Sequence, residues 1–148
     1  MIAGKQYREM RRAAAGFTLL ELLVVLTILV MLAALVGPPV LKQLDKAKVD
    51  SARVQIKDLE NAAGIFKLDV GRYPTTQEGL EALIAPPGSV KGWNGPYLSK
   101  SKALPLDPWK HPYQYEAPGK HGDVDIYSLG ADSAAGGEGL NADIGNWE

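Results

Sequence analysis

The chain has 148 residues, 46% of them apolar, with 16 basic against 17 acidic side chains and no cysteine. That length is one domain's worth of chain. Zero Cys excludes disulfides, thiolate metal sites and a cysteine nucleophile, and the near-neutral balance argues against a dedicated nucleic-acid binder, which needs a basic surface. The charge is nonetheless polarised: residues 1–16 hold Lys5, Arg8, Arg11 and Arg12 against Glu9 alone, and without them 12 basic and 16 acidic residues remain, a net of −4.

From Phe17 to Val36 the sequence reads FTLLELLVVLTILVMLAALV, in which only Thr18, Glu21 and Thr27 are polar. As a helix rising 1.5 Å per residue this stretch spans roughly 30 Å, about the hydrocarbon thickness of a bilayer. The basic cluster before it predicts a cytoplasmic N-terminus and an exported remainder, by the positive-inside tendency. A cleaved secretory signal fits poorly. The apolar stretch is long for one, it contains a carboxylate, and it runs into Gly37-Pro38-Pro39 without a clear Ala-x-Ala site.

An acidic side chain within a membrane helix costs on the order of 3 kcal/mol, so Glu21 needs an offset. It could snorkel to the interface. Alternatively, a cut after Gly16 would create a charged α-amine at Phe17, and that amine on a neighbouring copy could pair with the carboxylate.

The basic leader, the run Gly16-Phe17-Thr18-Leu19-Leu20-Glu21 and the following apolar stretch resemble the prepilin signal of type IV pilins and the pseudopilins of type II secretion. The resemblance implies that a membrane-bound prepilin peptidase cuts between Gly16 and Phe17, that Phe17 is then N-methylated, and that Glu21 guides helix register during assembly.

Pro38 and Pro39 remove two donors, so a kink or local unwinding is expected near Gly37. Beyond it, Leu44, Val49, Ala52, Ile56, Leu59, Ala63, Phe66 and Val70 recur in steps that trace one face of an amphipathic helix. No strict heptad is sustained over several repeats, so a core-facing spine is expected rather than a coiled coil. Gly71 is the expected C-cap and Pro74 prevents continuation. Thr75-Thr76-Gln77-Glu78 has the spacing of a capping box before a short helix at Leu80–Ile84.

Residues 86–112 are rich in Pro, Gly and aromatics, with Trp93, Tyr97 and Trp109 expected as core anchors. Tyr113 and Tyr115, a turn at Pro118-Gly119, then Val124, Ile126 and Tyr127 predict a small antiparallel sheet. The fold class is therefore α+β, a long N-terminal transmembrane and spine helix with a small antiparallel β-sheet head. The motifs Tyr73-Pro74-Thr75-Thr76-Gln77-Glu78-Gly79-Leu80, Gly95-Pro96-Tyr97-Leu98, Asp107-Pro108-Trp109 and Asp125–Asp132 resemble those of the major-pseudopilin family of type II secretion in particular.

The last 27 residues, Gly122 to Glu148, carry Asp123, Asp125, Asp132, Glu138, Asp143 and Glu148, six glycines, and no Lys or Arg. Hard oxygen donors of this kind suit calcium, and the lack of His or Cys beyond Gly122 argues against zinc. The EF-hand spacing is absent, and composition alone favours a solvated acidic loop over a metal loop. The resemblance implies one calcium ion in this loop, held by the side chains of Asp132 and Asp143 and the carbonyl of Leu129. The insert at 133–141 leaves the remaining ligands open, Glu138 among them.

His111 and His121 lack a partnering nucleophile, and no nucleophile elbow, P-loop or dinucleotide fingerprint is present, so no enzymatic activity is expected. The expected organisation is a cleaved cytoplasmic leader at 1–16, a transmembrane and assembly segment at 17–37, and a periplasmic head at 38–148 with a metal loop at 129–145. The resemblance implies a structural subunit that polymerises with itself into a short periplasmic fibre acting in protein export. Its implied partners are the prepilin peptidase, minor pseudopilins, and the inner-membrane assembly platform with its ATPase. The alternatives are a surface pilin for adhesion, motility or DNA uptake, and a membrane-tethered calcium-dependent binding module.

Overall fold

A computed structural model describes residues 16–98 and 103–148 of the chain. The leader expected at 1–16 lies outside the described residues except for Gly16. The chain divides into two compact units, one ending at Val40 and one running from Leu41 to Glu148.

In the first unit the backbone enters helix α1 (Leu19–Val70). Thr18 is its N-cap: its hydroxyl accepts the Glu21 N–H at 3.2 Å, and its carbonyl accepts that of Leu22. Thr27 returns its hydroxyl to the Leu23 carbonyl at 2.8 Å, so this polar atom is satisfied within the helix. Every residue from Leu19 to Val36 is exposed. Local unwinding does not occur, because Gly37, Pro38 and Pro39 all remain helical. The two prolines deprive only the Ala34 and Leu35 carbonyls of donors, and the helical dihedrals carry through.

In the second unit the stripe is recovered as the core. Ala52, Ile56, Leu59, Ala62, Ala63 and Phe66 are buried, with Val49 and Val70 packed at the margins. Leu44 is an exception, 53% exposed and outside the core cluster. Gly71, at φ 87°, ends the helix and donates to the Lys67 carbonyl.

The capping box forms as expected. The Thr75 N–H donates to Glu78 Oε2 at 2.7 Å and the Glu78 N–H to Thr75 Oγ1 at 3.2 Å. It closes a turn rather than a helix, because Gly79 at φ 62° interrupts the chain and the following Leu80–Leu83 is a single 3₁₀ turn.

Three antiparallel strands follow in spatial order: β1 (Gln114–Glu116), β2 (Asp125–Ser128) and β3 (Ile144–Gly145). Tyr115 faces Ile126 across the first pair and Ser128 faces Ile144 across the second. The predicted sheet is thus present, with an unpredicted third strand contributed by the acidic tail. Tyr113, Ile126 and Ile144 join the helix residues, Leu80 and Leu83 in one core.

The aromatic anchors behave as expected. Trp93 Nε1 donates to the Ala82 carbonyl at 2.8 Å, and Tyr97 stands edge-on to both Phe66 and Trp93 while its hydroxyl donates to Asp69. Trp109 packs against the same core.

Candidate functional site

At the amino end the structure places Gly16 and Phe17 just before the helix, both exposed, and among the described residues a Cβ built at Gly16 would meet nothing within 4 Å. Glu21 lies in the first helical turn, where a carboxylate is favoured by the orphan N–H groups. Thr18-Leu19-Leu20-Glu21 also carries the spacing of a capping box, with Thr18 at the N-cap. Phe17, Thr18 and Glu21 therefore sit together at the point where the helix starts.

The six carboxylates of the tail separate into two groups. Asp125, its side chain 3% exposed, accepts the backbone N–H groups of Lys120 and His121 and lies 2.8 Å from His121 Nδ1. Burial works to raise its pKa, but the His121 hydrogen bond and the two backbone N–H groups outweigh it and hold the carboxyl below its ordinary value. Asp123 pairs with Lys67 at 3.1 Å and Glu148 with Arg53 at 2.7 Å. Asp125 closes the turn ahead of β2, and Asp123 and Glu148 fasten the two ends of the segment to α1. Asp132, Glu138 and Asp143 are left.

Between them the chain is held by its own backbone. Asp132 Oδ1 accepts the Ala134 N–H at 3.1 Å, Asp143 Oδ2 accepts that of Gly136 at 2.9 Å, and the Ala131 N–H donates to the Leu140 carbonyl at 2.9 Å. Gly130, at φ 69°, packs so closely on 140–142 that a Cβ there would lie 2.8 Å from the Leu140 oxygen and 2.9 Å from that of Ala142. A side chain at Gly130 would pry the two limbs of the loop apart.

Asp143 Oδ1 is buried and has no hydrogen-bond partner, singled out in this respect among the described residues. A buried carboxylate oxygen without a donor is costly, and a hard cation is one partner that would satisfy it. Glu138 is exposed, ahead of a second 3₁₀ turn at Gly139–Asn141. Among the described residues no three Asp, Glu, His or Cys side chains gather as a ligand set. A cation bound here would hold two aspartates at most and complete its shell from carbonyls, as calcium does and zinc does not. The donor set therefore fits calcium.

Sequence reasoning missed Asn146. Its side-chain oxygen accepts the Ile126 N–H, and its amide donates to Glu60 and to the Val124 carbonyl, so the amide stands in for a strand neighbour. Trp147 was also missed as an anchor; it stacks on His121 with ring centroids 4.0 Å apart. An Asn followed by Trp after an apolar pair was the available signal.

Residues 39–147 match the family described as type II secretion system protein G, and residues 11–37 match the prokaryotic N-terminal methylation motif. The chain belongs to the type II secretion system protein G family. It is 51% identical over 142 residues to the type II secretion system core protein G of Pseudomonas aeruginosa, covering 93% of this chain and 98% of the relative. The Vibrio cholerae core protein G is 48% identical over 139 residues, covering 92% and 93%. Among solved structures, the major pseudopilin from the type 2 secretion system of enterohaemorrhagic Escherichia coli superposes with a TM-score of 0.60 at 36% identity, covering 74% of this chain and 95% of that one. The α+β head on a long helix is therefore the fold of a family of structural subunits.

Proposed function

We propose that this chain is a major pseudopilin, a subunit that polymerises into a periplasmic fibre and drives export of folded proteins across the outer membrane. The observation that carries this reading is the co-occurrence, in one chain, of the methylation motif at 11–37 and the protein G head at 39–147. Surface pilins share the first, but the second is the secretion family's own.

On this reading a prepilin peptidase cuts between Gly16 and Phe17 and Phe17 becomes the methylated N-terminus. The segment 17–37 stores the subunit in the inner membrane, with the N-terminus cytoplasmic and the head, 38–148, in the periplasm. Thr18 starts the helix and holds the Glu21 backbone at a fixed position behind the new amine. The Glu21 carboxylate then pairs with the Phe17 amine of a neighbouring copy, where low dielectric makes the attraction strong. Minor pseudopilins, the assembly platform and its ATPase supply initiation and work, since no nucleotide-binding motif occurs in this chain.

One calcium ion belongs to the head on the same reading, with Asp132, Asp143 and the Leu129 carbonyl as the residues that would hold it. A bound divalent cation supplies positive charge against clustered carboxylates and ties the loop 129–145 shut. The buried, unpartnered Asp143 oxygen supports this. The test of function is direct: processed protein extracted from membranes should form filaments, whereas a merely tethered binding module stays dispersed under the same conditions. Dispersed protein at all concentrations would overturn the fibre reading.

A further inference from the structure

Asp107 is a buried carboxylate that no part of the fibre reading uses; its side chain is fully buried. Its Oδ1 accepts the N–H groups of Trp109 at 3.0 Å and His111 at 2.8 Å, which closes the loop between Leu106 and Pro112. Its Oδ2 accepts the Ser128 hydroxyl at 2.6 Å, a short charge-assisted bond between two buried groups. Ser128 Oγ in turn accepts the Gly130 N–H at 3.1 Å. The same glycine is gripped a second time, because His111 Nδ1 lies 3.2 Å from the Gly130 carbonyl and, facing an oxygen that can only accept, carries its proton there.

The consequence lies one atom away. The Leu129–Gly130 peptide is trans and planar, so the Leu129 carbonyl is directed opposite to the Gly130 N–H. Fixing that N–H on Ser128 therefore fixes the direction of the Leu129 oxygen, and the Gly130 α-carbon is wedged against 140–142 at the same time.

We propose that Asp107 and Ser128 are positioning residues for the cation loop, setting the Leu129 carbonyl before calcium arrives, with His111 bracing the next peptide. This rests on the calcium reading of the loop. Partners behind metal ligands commonly change affinity by about 10- to 100-fold when removed. Here the ligand is a backbone carbonyl, so its orientation is set through the peptide plane rather than through a side chain.

The experiment is a calorimetric titration of calcium chloride into chelator-stripped full-length protein in detergent, with circular dichroism confirming the fold of each variant. Ser128→Ala should raise the calcium Kd by about tenfold or more. Asp107→Asn keeps an acceptor for Trp109 and His111 but leaves the Ser128 hydroxyl without one, and should raise Kd as well. The double variant should be no weaker than Ser128→Ala alone, because the two residues act as one chain.

His111→Ala, at a partly exposed residue, should weaken binding severalfold. It decides the matter if the buried substitutions prevent folding. A purely structural role would lower the melting temperature of the calcium-free protein and leave Kd unchanged. Folded variants with Kd within about twofold of the unmodified protein would overturn the positioning role. If Asp143→Asn abolishes binding in that case, the calcium reading survives alone. No binding to the unmodified protein overturns both.

Discussion

Glu78 joins the turn after α1 to the helix end, and its contribution can be worked out contact by contact. Arg72 grips it with two bonds, Nη1 to Oε2 at 2.6 Å and Nη2 to Oε1 at 2.7 Å, while Oε2 also accepts the Thr75 N–H. Glu78→Ala removes all three. Loss of a cap costs about 1 kcal/mol. A bidentate pair whose arginine side chain is 43% exposed contributes about 0.5–1 kcal/mol after solvent screening. Unfolding should thus become easier by about 1.5–2 kcal/mol in Glu78→Ala, and by about 0.5–1 kcal/mol in Glu78→Gln, which keeps an acceptor for Thr75.

The pH dependence follows with a definite sign. The Arg72 hydrogen bond is the largest influence on Glu78; burial opposes it, the Thr75 N–H helps, and the carboxyl is pulled from 4.5 to about 2. A pKa depressed by folding gives stability that is complete above the unfolded value and is lost as pH falls through the folded one. The gap between wild type and Glu78→Ala should be flat from about pH 7 to 5 and close between 4.5 and about 2. Urea melts followed by tryptophan fluorescence suit the purpose, since Trp93, Trp109 and Trp147 all lie in the unit from Leu41 onward. A gap below about 0.5 kcal/mol at neutral pH, or one that persists undiminished in acid, would refute the reasoning.

Replacing Gly16 with a bulky residue should leave the leader attached, and N-terminal sequencing of the mature protein should otherwise begin at Phe17; retention of residues 1–16, or a cut beyond Val36, contradicts the processing proposed. Glu21→Leu should improve membrane retention, by about 3 kcal/mol on the insertion scale, while fibre yield and secretion fall; normal secretion would remove the amine-pairing idea. Calcium at a hundredfold excess over its Kd should stabilise the head by about 2.7 kcal/mol, read as a rise in melting temperature against chelator. Asp132→Asn and Asp143→Asn should each erase that rise, and a melt indifferent to calcium in all three proteins would return the tail to an acidic loop.

The spine and the sheet were legible in the sequence because their signals are periodic and local. The steps from Ala52 to Phe66 place one face inward whatever packs on it, and alternation on either side of a turn put Tyr115 and Ile126 in neighbouring strands, though not their register. Leu44 was misplaced because periodicity continues past the point where the head ends and cannot say where its cover stops. The helix predicted at Leu80–Ile84 became one 3₁₀ turn because Gly79 takes a positive φ that the capping-box spacing does not encode. In the loop, Asp132 and Asp143 were readable as candidates, but Asp107 and Ser128 were not. Their relation spans 21 residues and exists only because β2 delivers Ser128 beside the loop at Leu106–Pro112.

The sorting of the tail's carboxylates bears on how a head without cysteine holds its last segment. Trp147 on His121, Glu148 on Arg53, and Asn146 on Ile126, Glu60 and Val124 secure the final residues. Upstream, the sheet ends at Ser128 and resumes only at Ile144. The segment between them exposes most of its residues, and its only large apolar side chains are Leu129 and Leu140. Closing a loop of about 15 residues with a covalent bridge would be worth about 3 kcal/mol, and no cysteine is available to make one. Calcium bound at a hundredfold excess supplies a comparable amount, about 2.7 kcal/mol, and does so reversibly. On the proposed reading the ion therefore acts as the staple of this segment. The loop would remain closed where divalent cations are plentiful and open where they are scarce.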